Sequence, residues 1–469
     1  MRNIADETCT RLLGQMGVLP EELAGAVTID GADPIVASPH HLGAASASAL
    51  AAQGAAIAAI WKMRTGRGQD VSVDLRRAVV PGLRTVFAVA HGGKRLRSPG
   101  AYGGRHFFRA RDDRQIYLLR ATIYMRMLLG LLDLLKCSND DAAVAAAVAQ
   151  WHSADLEDAI AERKLVGVVA RRREEWLDHP QGHFLHARPA VAIEKIGESA
   201  PEKFGPAPRP LSGVRVLDVT HVLAGPAAAR TLAEQGADVL HIASHRHPDT
   251  ADKMMDTSFG KRSAYLDLDV EADRATLAEL VKGCDVFVQS WRPGALAKRG
   301  FGPRDVARLR PGAIYVSVSA YGGGGPWASR GGYDPVGQVA SGLAVEEGSF
   351  EAPALAPTGT MNDYITAYLA AAGALGALIR RAREGGSYAI DVSLTRSSMF
   401  VNELGLLDAK PKPEQIFGLE PLATDLRTAM TPLGTVTYPA PITGYSETKP
   451  YWERPCGYAG ADAPIWLPR

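Results

Sequence analysis

The sequence predicts an α/β protein, with a doubly wound, mostly parallel sheet of the Rossmann-like kind and a smaller α+β domain. Strands alternate with helices between residues 214 and 321, and short strands mix with amphipathic helices between 106 and 196. A helix–strand element also occurs twice, at 49–75 and 368–394. These observations divide the chain into four regions, which are 1–80, 81–200, 201–400 and 401–469.

The duplicated element is the clearest internal pattern. Its copies read "ALAAQGAAIAAIWKMRTGRGQDVSVDL" and "YLAAAGALGALIRRAREGGSYAIDVSL", and they align without a gap, so that Gly54 meets Gly373 and Val73 meets Val392. Each copy predicts a small-residue helix with basic residues at its end, a glycine stop and a short alternating strand. Chance similarity between two alanine-rich helices is the alternative, but the matched glycines and the following strand favour duplication.

The remaining regions follow from composition and periodicity. The first region holds copy one as a structural element, and a Gly- and Arg-rich connector at 81–105 leads into the small domain. Residues 197–210 carry four prolines without periodicity and predict a linker. The 201–400 region has five predicted strands, "VRVLDVT", "ADVLHIAS", "SAYLDLD", "CDVFVQS" and "AIYVSVSAY". The tail at 401–469 has little periodicity and is expected to wrap around the other regions.

Composition limits the possible partners. The 469 residues carry a net charge of +1, which offers no basic field for nucleic acid. The four cysteines are scattered and form no CxxC pair, so we expect neither a zinc site nor disulfides, but free thiols in a reducing cytosol. No signal peptide is visible, and the alanine-rich helices are interrupted by Gly, Gln and Arg. We therefore expect a cytoplasmic protein that does not enter a membrane.

Two glycine-containing turns are candidate binding elements. No GxGxxG follows the first strand of the 201–400 region, but "THVLAGPAAARTLA" has a strand–turn–helix form with Gly225 and Pro226 at the helix start. Such a turn either binds an anionic, nucleotide-like group or is purely structural. The stretch "YGGGGPWASRGG" is either a flexible surface loop or a mobile cover whose N–H groups stabilise an oxyanion.

His241, His245 and His247 lack an acidic or Cys partner set, so no metal is expected.

Several motifs in order between about 210 and 395 resemble one family, the class III CoA-transferases (CaiB/BaiF), which include formyl-CoA transferase. They are "LSGVRVLDVTHVLAGPAAARTLAEQGADV", "FGKRSAYLDLD", "CDVFVQSWRPGALAKRGFG", "YVSVSAYGGGGPW", "GGYDPVGQVASG" and "MNDYITAYLAAAGALGAL". The resemblance implies transfer of CoA between carboxylic acids, with an acyl-CoA thioester as substrate and no bound cofactor. It also implies an interlocked homodimer. In the family, the helix–strand element ends the nucleotide-binding half and leads into the small domain. Here the two parts stand in permuted order, and the element that joins them is present twice.

The resemblance assigns the nucleophile to Asp363, in "TGTMNDYITAYL". In the family, this carboxylate attacks the thioester to form an acyl anhydride, and CoA later returns through an aspartyl-CoA thioester. A simple helix N-cap is the alternative interpretation of an Asp at this place. The ungapped alignment of the two copies puts Ala44 opposite Asp363, so we expect a single catalytic aspartate.

The CoA-binding residues carried over from the family lie around the predicted strand ends. They are Val222, Leu223 and Ala224 beside the adenine and pantetheine, Lys261 near the phosphates, and Ser290, Trp291, Arg292 and Lys298. Two positions depart from the usual family residues: Ala243 replaces a Glu and Ser290 replaces an Asn. These departures affect the contacts to adenine.

Two other functions stay open at this stage. The family contains α-methylacyl-CoA racemases, which use a His–Asp pair with the histidine in "GHD", whereas this chain has Tyr333 in "GYD". Loss of the imidazole removes one partner of a two-base proton transfer. The third interpretation is an inactive CoA-binding partner subunit. The first copy, which lacks the aspartate, keeps this interpretation open, whereas the presence of Asp363 opposes it.

Overall fold

The computed structural model describes residues 4–23, 25–96, 105–409 and 411–468. The helices, numbered in chain order, are α1 (Ile4–Met16), α2 (Leu42–Thr65), α3 (Leu75–Val79), α4 (Thr85–Ala88), α5 (Met125–Leu135), α6 (Asp141–Val148), α7 (Ser153–Glu162), α8 (Arg173–Asp178), α9 (Pro180–His186), α10 (Ala224–Glu234), α11 (Ala251–Thr257), α12 (Glu271–Gly283), α13 (Pro303–Leu309), α14 (Asp334–Ala340), α15 (Leu343–Glu347), α16 (Met361–Glu384) and α17 (Leu394–Asn402). The strands are β1 (Val27–Asp30), β2 (Val71–Asp74), β3 (Ala90–His91), β4 (Lys94–Arg95), β5 (Phe107–Arg109), β6 (Gln115–Leu118), β7 (Gly167–Val169), β8 (Ala192–Gly197), β9 (Arg215–Val219), β10 (Asp238–Ala243), β11 (Lys261–Tyr265), β12 (Val286–Gln289), β13 (Ile314–Ser319), β14 (Ser387–Ser393), β15 (Leu426–Thr431), β16 (Gly434–Pro439) and β17 (Gly444–Tyr445).

A seven-stranded sheet organises the second half of the chain. Its strand order is β11-β10-β9-β12-β13-β14-β8, and all neighbours are parallel except β14 and β8. The five predicted strands are all present, and the predicted doubly wound α/β class is confirmed. The strand β8, which we expected within the small domain, lies instead at the edge of this sheet, where Ile193 pairs with Ile390 and packs against the main core.

The two copies of the duplicated helix lie side by side in the main core. Helices α2 and α16 both have 24 residues, and their ends coincide in the ungapped alignment. Residues 42–61 of α2 and 361–379 of α16 are buried without interruption, and the Gln53 side chain donates a 2.6 Å hydrogen bond to the Tyr368 carbonyl. By length and composition α2 alone among the described helices passes as a membrane span, contrary to our expectation from the interrupted alanine runs, but its apolar window is wholly buried inside this structure.

Matched glycines let each long helix approach the strand that follows it. A Cβ added at Gly54 would lie 2.4 Å from Cγ1 of Val71, and one added at Gly373 would lie 2.8 Å from Cγ2 of Ile390. Val71 and Ile390 also correspond in the alignment of the two copies. The duplication therefore extends from sequence to the packing of a helix on its own strand.

This packing makes both glycines sensitive to a single added methyl group. We expect Gly54→Ala and Gly373→Ala each to lower the free energy of unfolding by about 1–3 kcal/mol, because the methyl group overpacks a filled core. Gly14→Ala in α1 is the matched control, since an added Cβ there meets nothing within 4 Å and alanine favours a helix by about 1 kcal/mol. Chemical denaturation measures all three, and core variants as stable as Gly14→Ala would contradict the prediction.

The small domain packs against the residues that follow strand β13 of the large sheet, where the glycine-rich stretch lies. Its three-stranded sheet has the order β5-β6-β7. Trp176 of α8 is buried against Trp327, with ring centroids 5.4 Å apart. One shared apolar cluster therefore joins the small domain to residues 320–340.

The expected connector and tail contribute to two small sheets. Strands β3 and β4, from the connector, join β16 and β15, from the tail, in the order β15-β16-β3-β4. Strand β17 of the tail pairs with β2 of the first copy. The tail also reaches α10, where the Trp452 indole donates to the Arg230 carbonyl at 3.1 Å.

Candidate active site

Asp363 is the third residue of α16 and is buried, with 7% of its surface exposed. Its backbone N–H donates a 3.0 Å hydrogen bond to Oδ2 of Asp334. Just before the helix, the Thr360 hydroxyl donates to the Leu83 carbonyl at 2.9 Å. The fold therefore places the Asp363 side chain in the first turn of a helix, where a negative charge is favourable, and holds its backbone through Asp334.

Asp334 supports this helix start from α14, although the sequence patterns did not single it out. Its Oδ1 accepts a 2.6 Å bond from the Gln338 side chain, and its carbonyl accepts a 2.9 Å bond from the Asn362 side chain. Only 3% of its surface is exposed. Asp334 thus holds two consecutive residues of α16, one of which is Asp363.

The first copy contains an equivalent carboxylate, Asp33. Its two oxygens accept hydrogen bonds from the N–H groups of Gly43 and Ala44, both at 2.9 Å. Asp33 and Asp334 are each followed by proline, which is the sequence signal that could have revealed the pair. Burial raises the pKa of Asp33, against the lowering effect of these N–H bonds. A carboxylate thus supports the start of α2 as one supports the start of α16, but α2 carries Ala44 where α16 carries Asp363.

The residue after the candidate nucleophile is locked by a buried network. The Tyr364 hydroxyl donates to Oδ2 of Asp256 at 2.6 Å and accepts from the Val86 N–H at 2.8 Å. Asp256 also forms a buried ion pair with Arg230. Burial raises the pKa of Asp256, although Arg230 and Tyr364 act in the opposite direction. The network ties the start of α16 to helices α10 and α11.

The turn between β9 and α10 holds the first three predicted CoA-binding residues. Val222 has a φ of 72° and donates its N–H to Oδ1 of Asp249 at 2.9 Å. A β-branched residue rarely adopts positive φ, and such strain, about 1–3 kcal/mol, concentrates at functional sites. Leu223 and Ala224 are buried, and Leu223 packs with Val86 and Phe87.

Lys261 supports the same turn from inside the protein. Its ammonium donates to Oδ2 of Asp218 at 2.8 Å and to the Pro226 carbonyl at 2.7 Å. Burial lowers the pKa of Lys261, while Asp218 acts against that change. Burial also opposes ionisation of Asp218, but Lys261 and His241 hold the pKa of its carboxyl well below the usual range. In this structure Lys261 is a turn-supporting residue, and its contact with CoA phosphates stays a prediction.

The four remaining predicted residues divide into two groups. Ser290 Oγ accepts from the His221 N–H at 3.0 Å, and the Trp291 indole donates to the Val219 carbonyl at 3.0 Å, so both adjoin the turn. Arg292 points toward the small domain, where it donates to the Lys164 carbonyl at 2.8 Å. Lys298 is exposed in a short turn beyond them.

A pocket of about 460 Å³, including its solvent-open part, lies at the carboxyl ends of β9, β10, β11 and β12. Its lining combines aliphatic side chains with one indole and a charged rim: Val219, Ile242, Ala243, Ser244, Arg246, His247, Leu266, Asp267, Leu268, Asp269, Trp291, Leu296 and Arg299. The sequence patterns missed Arg246 and Arg299. Carboxyl ends of parallel strands are where open α/β sheets bind ligands, and this lining suits a flat apolar ring with an anionic substituent.

The histidines of this region pack against aromatic rings. Burial, together with the nearby His247, lowers the pKa of His221 to about 4, so His221 is neutral near pH 7. His245 stacks on Tyr265 with ring centroids 3.6 Å apart. Within the described ranges, no group of His, Cys, Asp and Glu side chains is arranged to hold a metal ion.

The glycine-rich stretch is fastened to the small domain by one buried glutamine. Gln181 donates to the carbonyls of Tyr321 and Gly324, at 2.7 and 3.0 Å, and accepts from the Trp327 N–H at 2.7 Å. The Gly323 N–H donates to Asp391 at 3.0 Å. These contacts favour a defined loop over a flexible one. Any covering movement of the loop must break the Gly323–Asp391 bond and must either break the Gln181 bonds or move the small domain with it.

Comparison with known proteins adds a family match over the region that contains these features. Residues 211–418 match the family described as CoA-transferase family III. The chain is 37% identical over 208 residues to an acetyl-coenzyme A transferase of Hypoxylon pulicicidum, covering 43% of this chain and 35% of that protein. It is 30% identical over 324 residues to an acyl-CoA transferase of Gibberella moniliformis, covering 64% and 57%.

Among solved structures, a CAIB/BAIF family protein from Brucella suis aligns with a TM-score of 0.39 and 26% identity, covering 48% of this chain and 65% of that chain. The chain spans only 35% of the length of the Hypoxylon pulicicidum transferase and 57% of the length of the Gibberella moniliformis transferase.

Proposed function

We propose that this chain transfers CoA from an acyl-CoA to a second carboxylic acid, since residues 211–418 match CoA-transferase family III. Asp363 is the nucleophile in this proposal. The observation that carries it is the buried carboxylate at the first turn of α16, whose backbone is fixed by Asp334. The next residue, Tyr364, is fixed by Asp256 and Val86. The helix-cap alternative does not fit, because the N-cap of α16 is Thr360 and Asp363 is the third residue of the helix.

The proposed reaction is an exchange in four balanced steps. The Asp363 carboxylate attacks the thioester carbonyl, which forms an aspartyl–acyl anhydride and releases CoA as its thiolate. The thiolate attacks the Asp363 carbonyl, which forms an aspartyl-CoA thioester and releases the first acid as carboxylate. The second acid attacks that thioester, forming a new anhydride and again CoA thiolate. The thiolate then attacks the acyl carbonyl, and the products are the new acyl-CoA and free Asp363.

The pocket beside Trp291 is the proposed site for the adenosine end of CoA. Its aliphatic lining accepts the ring, and Arg246 and Arg299 stand at its rim, each paired with an aspartate. From there the β9–α10 turn, with Val222, Leu223 and Ala224, leads toward α16. Ser290 and Lys261 fix the turn, while Arg292 and Lys298 stay candidate phosphate contacts. A homodimer in the cytoplasm belongs to the same proposal.

The racemase alternative needs a second proton-transfer group at Tyr333. Its ring stacks on Tyr124 instead, with centroids 4.4 Å apart, and tyrosine does not supply the imidazole that exchanges protons near neutral pH. The presence of Asp363 opposes the alternative of an inactive partner subunit, which has no need of a carboxylate at that place.

Chemical trapping tests the proposal. The protein is incubated separately with acetyl-CoA and succinyl-CoA, hydroxylamine is added, and peptides are mapped by mass spectrometry. We expect a hydroxamate on Asp363, about 15 Da heavier than the carboxyl, because hydroxylamine cleaves anhydrides and thioesters. Failure of every acyl-CoA in a wider panel to label Asp363, despite measured CoA binding, would refute the covalent route and favour the partner-subunit interpretation.

A further inference from the structure

A second pocket lies where the two long helices meet α10 and the tail, and it shares no lining residue with the pocket beside Trp291. Its volume is about 560 Å³, including the part that is open to solvent. Aliphatic side chains form part of its wall, among them Leu50 and Ile57 of α2 and Leu375 of α16. The reaction steps proposed above make no use of this pocket.

One carboxylate in this pocket lacks a basic partner. Glu234 is the last residue of α10 and is half-buried. Its side chain accepts a long hydrogen bond of 3.4 Å from the Gln235 amide, and in the described part of the chain it forms no ion pair with a basic side chain. Burial raises the pKa of Glu234 to about 7, although Arg230 and Arg209 act to lower it.

The arginines whose charges reach Glu234 are already paired with other carboxylates. These pairs are Arg230 with Asp256, Arg209 with Glu453 and Arg77 with Asp425. Two phenols also line the pocket, Tyr368 from α16 and Tyr445 from the tail, and burial raises the pKa of each, so both are neutral near pH 7. An ionised Glu234 therefore gives the pocket a net negative charge, which a cation can balance.

The rest of the lining favours an ammonium group as that cation. The Gln53 side chain donates a 2.6 Å hydrogen bond to the Tyr368 carbonyl, which leaves Oε1 of the same amide as an acceptor. Three aromatic residues line the pocket, Tyr368, Tyr445 and Trp452. An ammonium group has three N–H donors and is attracted to the faces of aromatic rings.

Arg230 adds a requirement for an oxygen acceptor. It lines the pocket with only 7% of its surface exposed, and its Nε–H has no hydrogen-bond acceptor among the described residues. A buried donor without an acceptor is unfavourable, and an oxygen atom on a ligand would satisfy it. Arg230 and Glu234 lie one turn apart on α10, about 6 Å along the helix axis, so a short molecule can contact both.

We propose that this pocket binds a small protonated amino alcohol, whose ammonium group pairs with Glu234 and whose hydroxyl oxygen accepts the Nε–H of Arg230. The short carbon chain of the ligand lies against the aliphatic wall. Asp256, the partner of Arg230, also accepts the Tyr364 hydroxyl, so the ligand adjoins the network that fixes the start of α16. Binding needs no acyl-CoA, and the proposal therefore stands apart from the proposed transfer reaction.

Ethanolamine is the probe that tests this site. Its binding to the unmodified protein is followed by ligand-observed NMR at pH 8, in phosphate buffer that contains no other amine and no acyl-CoA. We expect a Kd of roughly 1–10 mM, as is reasonable for so small a ligand. Ethylene glycol lacks the ammonium group and ethylamine lacks the hydroxyl group. Each should bind at least about tenfold more weakly, because each loses a hydrogen bond to a charged side chain.

The affinity for ethanolamine should follow the ionisation of Glu234. A carboxyl group with a pKa of about 7 is mostly ionised at pH 8 and only about one-tenth ionised at pH 6. The cation binds the ionised form, so the Kd should rise about tenfold when the pH falls from 8 to 6. The ligand does not contribute to this change, because simple aliphatic amines stay protonated at both pH values.

Glu234→Gln assigns the binding to this pocket. It keeps the shape of the side chain and removes its charge, so ethanolamine should bind at least about tenfold more weakly at pH 8. The variant should fold, because it removes a charge whose burial is unfavourable. Glu279→Gln is the control, since it removes an exposed carboxylate that pairs with Lys282, and it should leave the Kd unchanged. If Glu234→Gln loses its cooperative thermal transition, the pH dependence of the unmodified protein decides the matter.

Several results would overturn the proposal. One is the absence of ethanolamine binding up to about 100 mM at pH 8, a concentration far above the expected Kd. Others are equal affinities for ethanolamine and ethylene glycol, an affinity that does not change between pH 8 and pH 6, and an unchanged affinity in a folded Glu234→Gln protein. Ethylamine binding as tightly as ethanolamine would contradict the role given to Arg230. None of these measurements depends on whether the protein transfers CoA.

Discussion

Replacing Asp363 by asparagine is expected to lower CoA transfer by about 10³-fold or more, because removal of a nucleophile removes the covalent route. An amide of nearly the same shape cannot form the anhydride. The fold should survive, since the hydrogen bond to Asp334 comes from the backbone N–H of residue 363. Steady-state rates with acetyl-CoA and succinyl-CoA, together with thermal unfolding, measure both expectations.

Asp74→Asn is the matched control for this substitution. Asp74 also stands at a helix start, where its side chain accepts the Arg77 N–H at 2.8 Å, and asparagine caps helices about as well as aspartate. This variant should keep its activity. Intact-mass measurement excludes deamidation of the new asparagine back to aspartate. An Asp363→Asn protein with more than about one-tenth of the activity would place the nucleophile elsewhere, since losses at a true nucleophile are far larger.

The second large effect is expected from Asp334→Ala, compared with Asp33→Ala. Each variant removes a buried carboxylate that accepts an N–H from the first turn of a long helix. Each should lower the free energy of unfolding by about 1–3 kcal/mol, because buried donors lose their acceptor. Only Asp334→Ala should also lower kcat, by roughly 10- to 10³-fold, because misplacing a reacting group by about 1 Å is that costly.

The comparison must be made where both variants are folded. Urea unfolding curves give the stability change, and kcat is then measured below both transitions, with Asp363 labelling as a second readout. Equal loss of kcat in the two variants would show that both act through general destabilisation. Unchanged kcat in Asp334→Ala would show that Asp363 does not depend on this support.

The sequence was informative where local pattern determines structure. Alternating strands and helices predicted the large sheet, and the ungapped alignment of the copies predicted two equivalent small-residue helices, which are α2 and α16. Asp334 escaped notice because its hydrogen bond to Asp363 spans 29 residues, and an Asp-Pro pair by itself is typical of a turn.

Lys253 and Lys261 show the same limit for charged residues. The polar residues of "TADKMMDTS" predict an exposed segment. Lys253 is nevertheless buried, because α11 packs against Tyr124, which is 129 residues away in sequence. Lys261 was assigned to phosphate by resemblance, whereas its ammonium lies in a buried pair with Asp218. Burial depends on contacts between distant parts of the folded chain, so the burial of a single lysine cannot be predicted from the residues around it in the sequence.

The paired long helices also bear on how this protein can diversify during evolution. Since α2 and α16 are buried without interruption over most of their length, the substitutions that either helix tolerates are those that preserve side-chain volume. The segment around Tyr124 has no such constraint, because its neighbours Ile123, Met125 and Leu129 are exposed. Substitutions can therefore accumulate around Tyr124 while the helix that carries Asp363 stays unchanged.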